Sequence, residues 1–433
     1  MPIIKKFLSA LAEYKKILKF SAKAISIGFI NQLVSSGGNF ALGIFLLKVL
    51  SSKEFGLYGI GFAVSLLYSG VVSALISTQM LVHAPEKKSS DLTAYAARML
   101  VALILFCLLT TIGLIALLII ISILNDAVLQ YQEFIFSILA AAIAYASKEF
   151  FVTYAYTARK EFWVSRINIT VVLTLASLLV LQVSLFNEFN AERGLWIYAA
   201  SHFIGVITGL VLVKLPIADV RFERMNEEIW QAWRGGKWAL VGVGIIWAQT
   251  QAYIYITAIF IGPVGVAYAN STKLLITPLI FGIQAVSQIL MPRIASIQVS
   301  NPEKILVINK QFTVAAIVFA TIYSAILLSS LDIIVPLLLG VQYKGTTTIV
   351  AAWCLFIIFQ YSRTGSSVIL QIFKEFKSLT VINSITLLFA IFTAATLIKY
   401  VGIAGAILGS ALGELLLSVW LYKLVFQYKS GSQ

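Results

Sequence analysis

The amino-acid sequence predicts an all-α integral membrane protein of about twelve transmembrane helices with both termini on the cytoplasmic side. Three observations carry this. The 433 residues are 60% hydrophobic and only 12% charged, about half the charged fraction of an average soluble domain, and the mean hydropathy is +0.94. About a dozen stretches stay apolar over the roughly 20 residues that a helix needs to cross a hydrocarbon core ~30 Å thick. Basic residues fall on alternate connections between these stretches. Backbone polar groups must pair internally in lipid, which leaves helices or a closed barrel. The stretches are too long and too uniformly apolar for alternating barrel strands.

Residues 1–21 carry Lys5, Lys6, Lys15, Lys16 and Lys19 against Glu13, with Phe7, Leu11, Tyr14 and Leu18 at helical spacing. This pattern predicts an amphipathic helix lying on anionic membrane lipid. It lacks the short apolar core and cleavage site of a signal peptide. Spans are then expected at about 24–48, 55–82, 98–124, 134–158, 167–186, 195–215, 237–262, 267–292, 311–340, 346–372, 379–399 and 402–426. One set of connections carries 24 Lys and Arg and the opposite set five, and the richer side is cytoplasmic. Residues 216–236, where Phe222, Met225, Ile229 and Trp233 share a helical face, are expected to be an interfacial linker between two groups of six spans, 1–215 and 237–433.

A weak internal repeat supports that division. Lys160-Glu161-Phe162 matches Lys374-Glu375-Phe376 at an offset of 214, and Phe55-Gly56-Leu57 resembles Val264-Gly265-Val266 at an offset of 209. Two halves of like orientation follow, as in transporters built from parallel repeats.

The net charge of +14 follows from topology, with no basic–aromatic patch on a soluble domain, so no nucleic-acid partner is expected. Cys107 and Cys354 fall inside spans, and His83 and His202 stand alone, which makes neither a disulfide framework nor a metal site. No nucleotide-cradling loop and no acidic metal motif is present, so no cofactor and no enzymatic activity are expected.

Polar residues inside the spans are the candidates for function. A charge at the bilayer centre costs roughly 2.5–3.5 kcal/mol on insertion scales, yet Lys148, Lys273, Arg363, Glu149 and Glu414 all lie within spans. Lys148 and Arg363 are too deep to reach the interface, so they either line a hydrated cavity that binds substrate or form structural ion pairs. Lys273, placed a turn and a half into its span, is a third candidate cavity cation for substrate, although it is also shallow enough to snorkel outward. Glu149 and Glu414 are candidates for ion coupling or for neutralising those cations. Polar stripes at Asn31, Ser35 and Asn39, at Gln249 and Gln251, and at Gln360, Thr364, Ser367 and Gln371 mark either helix–helix glue or the lining of a central cleft. Unpaired cations favour an anion, Arg offering a planar fork to phosphate oxygens and Lys a point charge. Tyr253, Tyr255 and Tyr361 suit sugar hydroxyls or serve packing.

Four motifs carry a family resemblance. Leu50-Ser51-Ser52-Lys53-Glu54-Phe55-Gly56-Leu57-Tyr58 resembles the junction of spans one and two in the polysaccharide (O-antigen type, Wzx) flippases of the multidrug/oligosaccharidyl-lipid/polysaccharide exporter superfamily. Leu290-Met291-Pro292-Arg293-Ile294-Ala295 is similar to that superfamily's span eight exit. Leu339-Gly340-Val341-Gln342-Tyr343 resembles its span nine–ten turn, and Gly262-Pro263-Val264-Gly265 its second-half junction. The resemblance implies two six-helix bundles around a V-shaped cavity and alternating access. It implies an undecaprenyl-diphosphate-linked oligosaccharide flipped between leaflets of a bacterial inner membrane for surface polysaccharide assembly, beside other assembly proteins of that membrane. An ion-coupled drug/cation antiporter of the same superfamily is the alternative. A membrane glycan polymerase or ligase is the alternative of another class, disfavoured by short outward loops.

Overall fold

The computed structural model describes residues 30–83, 89–186, 188–217, 220, 222–283, 294, 304–373 and 375–430. The expected amphipathic helix at 1–21 and, apart from Ile294, the Leu290–Ala295 motif lie outside these residues. Among the described residues every regular element is helical: α1 (Ile30–Val49) and α2 (Ser52–His83), α3 (Ser89–Leu124), α4 (Gln132–Thr157), α5 (Glu161–Leu185) and α6 (Ala191–Val213). There follow α7 (Phe222–Phe260), α8 (Pro263–Leu274), α9 (Lys304–Ser329), α10 (Thr347–Ile372), α11 (Phe376–Val401) and α12 (Ile403–Ser430).

Ten of these helices are long and apolar enough to cross a membrane. The other two differ for physical reasons. α8 bends by 59° before continuing as Thr277–Ile283. Pro278 has no N–H to extend the ladder, and hydroxyls from other helices take up carbonyls at the break: Tyr323 donates to Leu275 O at 2.7 Å and Tyr361 to Leu279 O at 2.8 Å. α10 is 26 residues long and dilutes its apolar character with a polar stripe, but it buries residues along most of its length, from Ile349 to Leu370. A helix wrapped by protein need not be lipophilic. α3 is the converse, the most apolar span and one whose apolar window is wholly unburied.

Local signals set the helix starts. Ser51 caps α2 by accepting from the Glu54 N–H at 3.2 Å, and Asn190 caps α6 by accepting from Arg193 N–H at 2.9 Å. Pro263 opens α8 directly after Gly262, whose φ of +92° favours glycine.

Packing follows the repeat. α4 rests chiefly on α6 and α2 with α5 beside them, and α10 rests chiefly on α12 and α9 with lighter contact to α8 and α11. The two groups meet where α2 lies against α7 and α8. A Cβ on Gly56 would sit 1.8 Å from the Pro263 carbonyl oxygen, so α2 and α8 cross backbone to backbone at their outer ends, a contact only glycine allows. Beside this crossing Tyr268 donates to Gln342 O at 2.9 Å and stacks edge-on with Tyr343.

The linker differs from expectation. Residues 222–236 are the opening turns of α7, not a separate element, and they dock on the first group of helices. Arg98 of α3 grips Glu228 with two bonds of 2.6 and 2.8 Å. Met225 and Ala232 are buried, and Gly236 lies close against Ala74 and Leu75 of α2. Farther along, Gln249 of α7 donates to Asn383 of α11 at 3.1 Å. One helix therefore holds both groups.

Candidate substrate cavity between the two helix groups

A cavity of about 210 Å³ opens between α1, α2, α7 and α8. That volume holds a few waters, at ~30 Å³ each in the liquid, or one small polar group. α1 contributes Asn39, Leu42 and Gly43; α2 contributes Phe55, Tyr58, Gly59, Phe62 and Leu66; α7 contributes Gln251, Tyr253 and Ile254. From α8 come Asn270, Lys273, Leu274 and Thr277.

Lys273 supplies the charge in this lining. Its ammonium donates to the Tyr253 hydroxyl at 3.1 Å, and that hydroxyl donates to Asn270 Oδ1 at 2.7 Å. The Tyr253 ring lies 4.7 Å from the ammonium and the Trp353 ring 5.4 Å. Trp353 is fixed in turn by its indole N–H on Ala269 O at 3.1 Å. Aromatic faces and neutral oxygens stabilise the cation while leaving it a net +1, and among the described residues no carboxylate lines the cavity. Of the two options open to Lys273, lining a cavity or snorkelling outward, its place in this lining matches the first. α8 starts at Pro263, so Lys273 lies ten residues, roughly 15 Å, from the outer end, under two rings instead of at the interface.

Lys148 and Arg363 stand differently. Lys148 is buried and pairs with the neighbouring Glu149, its ammonium 5.2 Å from the Tyr145 ring. Arg363 pairs with Glu414 of α12, with a second bond of 3.4 Å from the guanidinium. Neither lines the cavity around Lys273. Among the polar candidates, the cavity brings together Asn39 and Gln251 with Lys273. Asn31 glues α1 to α5, donating to Glu161 O at 3.3 Å and accepting from Ser165 at 2.7 Å. Gln249 is committed to Asn383. Thr364 donates to the Gln360 carbonyl, and Ser367 accepts from Gln371. Ser35 is half-buried on α1. Tyr361 serves the α8 break, and Tyr255 packs against Trp247.

No family model matches the chain, and no curated protein matches it in sequence. Solved structures do match over nearly its whole length. It is similar to an inward-facing multidrug resistance MATE family transporter of the MOP superfamily, at 13% identity over 92% of this chain and 95% of that one, with a TM-score of 0.70. It is also similar to the lipid II flippase MurJ in an inward closed conformation, at 13% identity over 94% and 87% of the two chains, TM-score 0.67. A eukaryotic MATE transporter matches at 15% identity over 94% and 96%, TM-score 0.63. The fold is that of the MOP-superfamily transporters. The cavity occupies the seam where α1 and α2 face α7 and α8.

Asn270, Trp353, Tyr58 and Phe62 were missed by the sequence reading. Asn270, Lys273 and Thr277 recur at i, i+3 and i+7, a helical spacing akin to the i, i+4 and i+7 of the stripe on α10. Starting span eight at 267 instead of 263 put that stripe near the boundary and concealed it. Nothing in the sequence signals that Trp353, on a distant helix, comes to rest over Lys273.

Proposed function

We propose that this chain is a flippase for a lipid-linked oligosaccharide with an anionic diphosphate, moving it by alternating access from the cytoplasmic to the outer leaflet of a bacterial inner membrane. The observation that carries the reading is the Lys273 ammonium, whose partners in the inter-group cavity among the described residues are all neutral. A cation without a counter-ion in a low-dielectric site attracts an anion far more strongly than it would in water. Asn39, Gln251, Asn270 and Tyr253 supply the amides and hydroxyl that suit sugar hydroxyls, and Tyr58, Phe62 and Tyr253 offer faces for sugar rings. Lys273 is thus the cavity cation of the site. Lys148 and Arg363, also candidates for substrate binding, spend their charge locally on Glu149 and Glu414. The lipid tail stays in the bilayer while the polar head crosses between the two groups, and the chain acts as a transporter, not as a glycan polymerase or ligase.

The likeness to multidrug MATE transporters keeps a drug/cation antiporter as the second reading. A cationic drug would meet a like charge at Lys273, which counts against it. The experiment is flipping of a fluorescent undecaprenyl-diphosphate oligosaccharide by the full chain in liposomes. Lys273→Met should reduce the rate at least tenfold with unchanged protein yield and melting temperature, and Lys273→Arg should retain part of it. A K273M protein that flips normally overturns the site. A wild-type protein that moves ethidium but no lipid-linked glycan overturns the substrate class.

A further inference from the structure

The two ion pairs inside the membrane hide opposite partners. In Lys148–Glu149 the Lys148 side chain is sealed at 2% exposure, while Glu149 keeps 32%. In Arg363–Glu414 the carboxylate is sealed at 6%, while Arg363 keeps 22%. The internal repeat relates the two partly exposed members. The offset of 214 that carries Lys160-Glu161-Phe162 onto Lys374-Glu375-Phe376 also carries Glu149 onto Arg363, and Thr153 onto Ser367. Parallel repeats are related by an axis along the membrane normal, so equivalent residues on α4 and α10 lie opposite one another at equal depth. Glu149 is eight residues from the cytoplasmic end of α4 and Arg363 nine from that of α10, roughly 12–14 Å.

Both helices carry a polar, half-buried stripe around these residues, Glu149 and Thr153 on α4, and Gln360, Arg363, Ser367 and Gln371 on α10. Hydrocarbon would not tolerate such a stripe, whereas a wet cleft would. Among the described residues α4 and α10 share no extensive packing, although the ends of α2 and α8 that begin at Ser52 and Pro263 touch. Among the described residues Glu149 and Arg363 each pair within their own group of helices, with Lys148 and Glu414, and not with each other.

We propose that Glu149 and Arg363 form an ion pair between the two groups when the cytoplasmic side closes, and that this pair is the latch of the closed state. Lys148 and Glu414 stay where they are. The four groups then form a row of alternating sign, Lys148, Glu149, Arg363, Glu414, in which no charge loses an opposite neighbour. Closure expels water from the cleft, and the attraction strengthens as the local dielectric falls. The latch is a property of the two helices, independent of which substrate occupies the cavity.

Cysteines at Thr153 and Ser367, on the same two stripes, report closure and leave all four charges intact. The full chain carries T153C/S367C with Cys107 and Cys354 replaced by alanine, in lipid nanodiscs, and disulfide yield on mild oxidation is read as loss of maleimide-reactive thiol. The disulfide should form readily. Adding E149Q or R363Q should each lower its yield several-fold, and the two together should lower it no further than either alone, because each removes the same contact. Where E149Q does not fold, K148M/E149Q removes the whole local pair and should give the same drop. The latch is overturned by absence of the disulfide, by a yield indifferent to both neutralisations, or by losses that add, as independent sites in separate helix groups would give.

Discussion

Glu414 is sealed against Arg363 deep inside the second group of helices, and that geometry fixes what its removal does. Glu414→Leu strands the guanidinium, and breaking a buried pair from one side costs about 3–5 kcal/mol. Partial exposure of Arg363 sets the low end of that range. R363M/E414L removes both charges and should recover most of the loss, which melting curves in detergent will show; a double variant melting below E414L would contradict the pairing. The sequence made these five intramembrane charges conspicuous but could not assign their roles. Glu149 adjoins Lys148 in the chain, so that pair was readable as one of two options. Glu414 is 51 residues from Arg363, and nothing local announces their meeting. For Lys273 the sequence leaves snorkelling open, because a span starting at 267 makes it look shallower than the helix start at Pro263 does.

Single helices carry their own lessons. Tyr361 reaches from α10 to the carbonyl of Leu279 at the break in α8. Tyr361→Phe removes that second bond to the carbonyl and should cost about 0.5–1.5 kcal/mol, with faster amide exchange confined to 277–283. Equal protection there in the variant would show that the bond is dispensable. Apolar length made most spans legible, since lipid selects for it directly. It was least informative for α8 and α10, which are surrounded by protein and answer to their neighbours' chemistry. The face of Phe222, Met225, Ile229 and Trp233 was legible as helical. Its partner was not, because Ile229 packs on the first group of helices and Met225 is buried, while Trp233 stays exposed; amphipathicity tells which side is buried, and not against what.

Across the whole molecule, the crossing of α2 and α8 decides whether the outer side can shut. A side chain at position 56 would overlap the Pro263 carbonyl, so Gly56→Val should hold the outer ends apart and shift the population toward outward-open forms. Labelling of a cysteine at Asn39 by an impermeant outer-side reagent should rise several-fold in G56V. Unchanged labelling would mean that the crossing does not govern access. Orientation and the twofold plan were legible from charge bias and from two short matches about 210 residues apart, whereas the interlocking turn at Gln342 and Tyr343 required three dimensions.

The double allegiance of α7 has a consequence for dissecting the gene. Its opening turns grip Arg98 and α2, while its later turns hold α11. Two fragments meeting between residues 217 and 222 leave the second with an intact handle for finding the first, so co-expressed pieces should reassemble and co-purify. Fragments meeting after residue 236 sever that handle, and their complementation should fail.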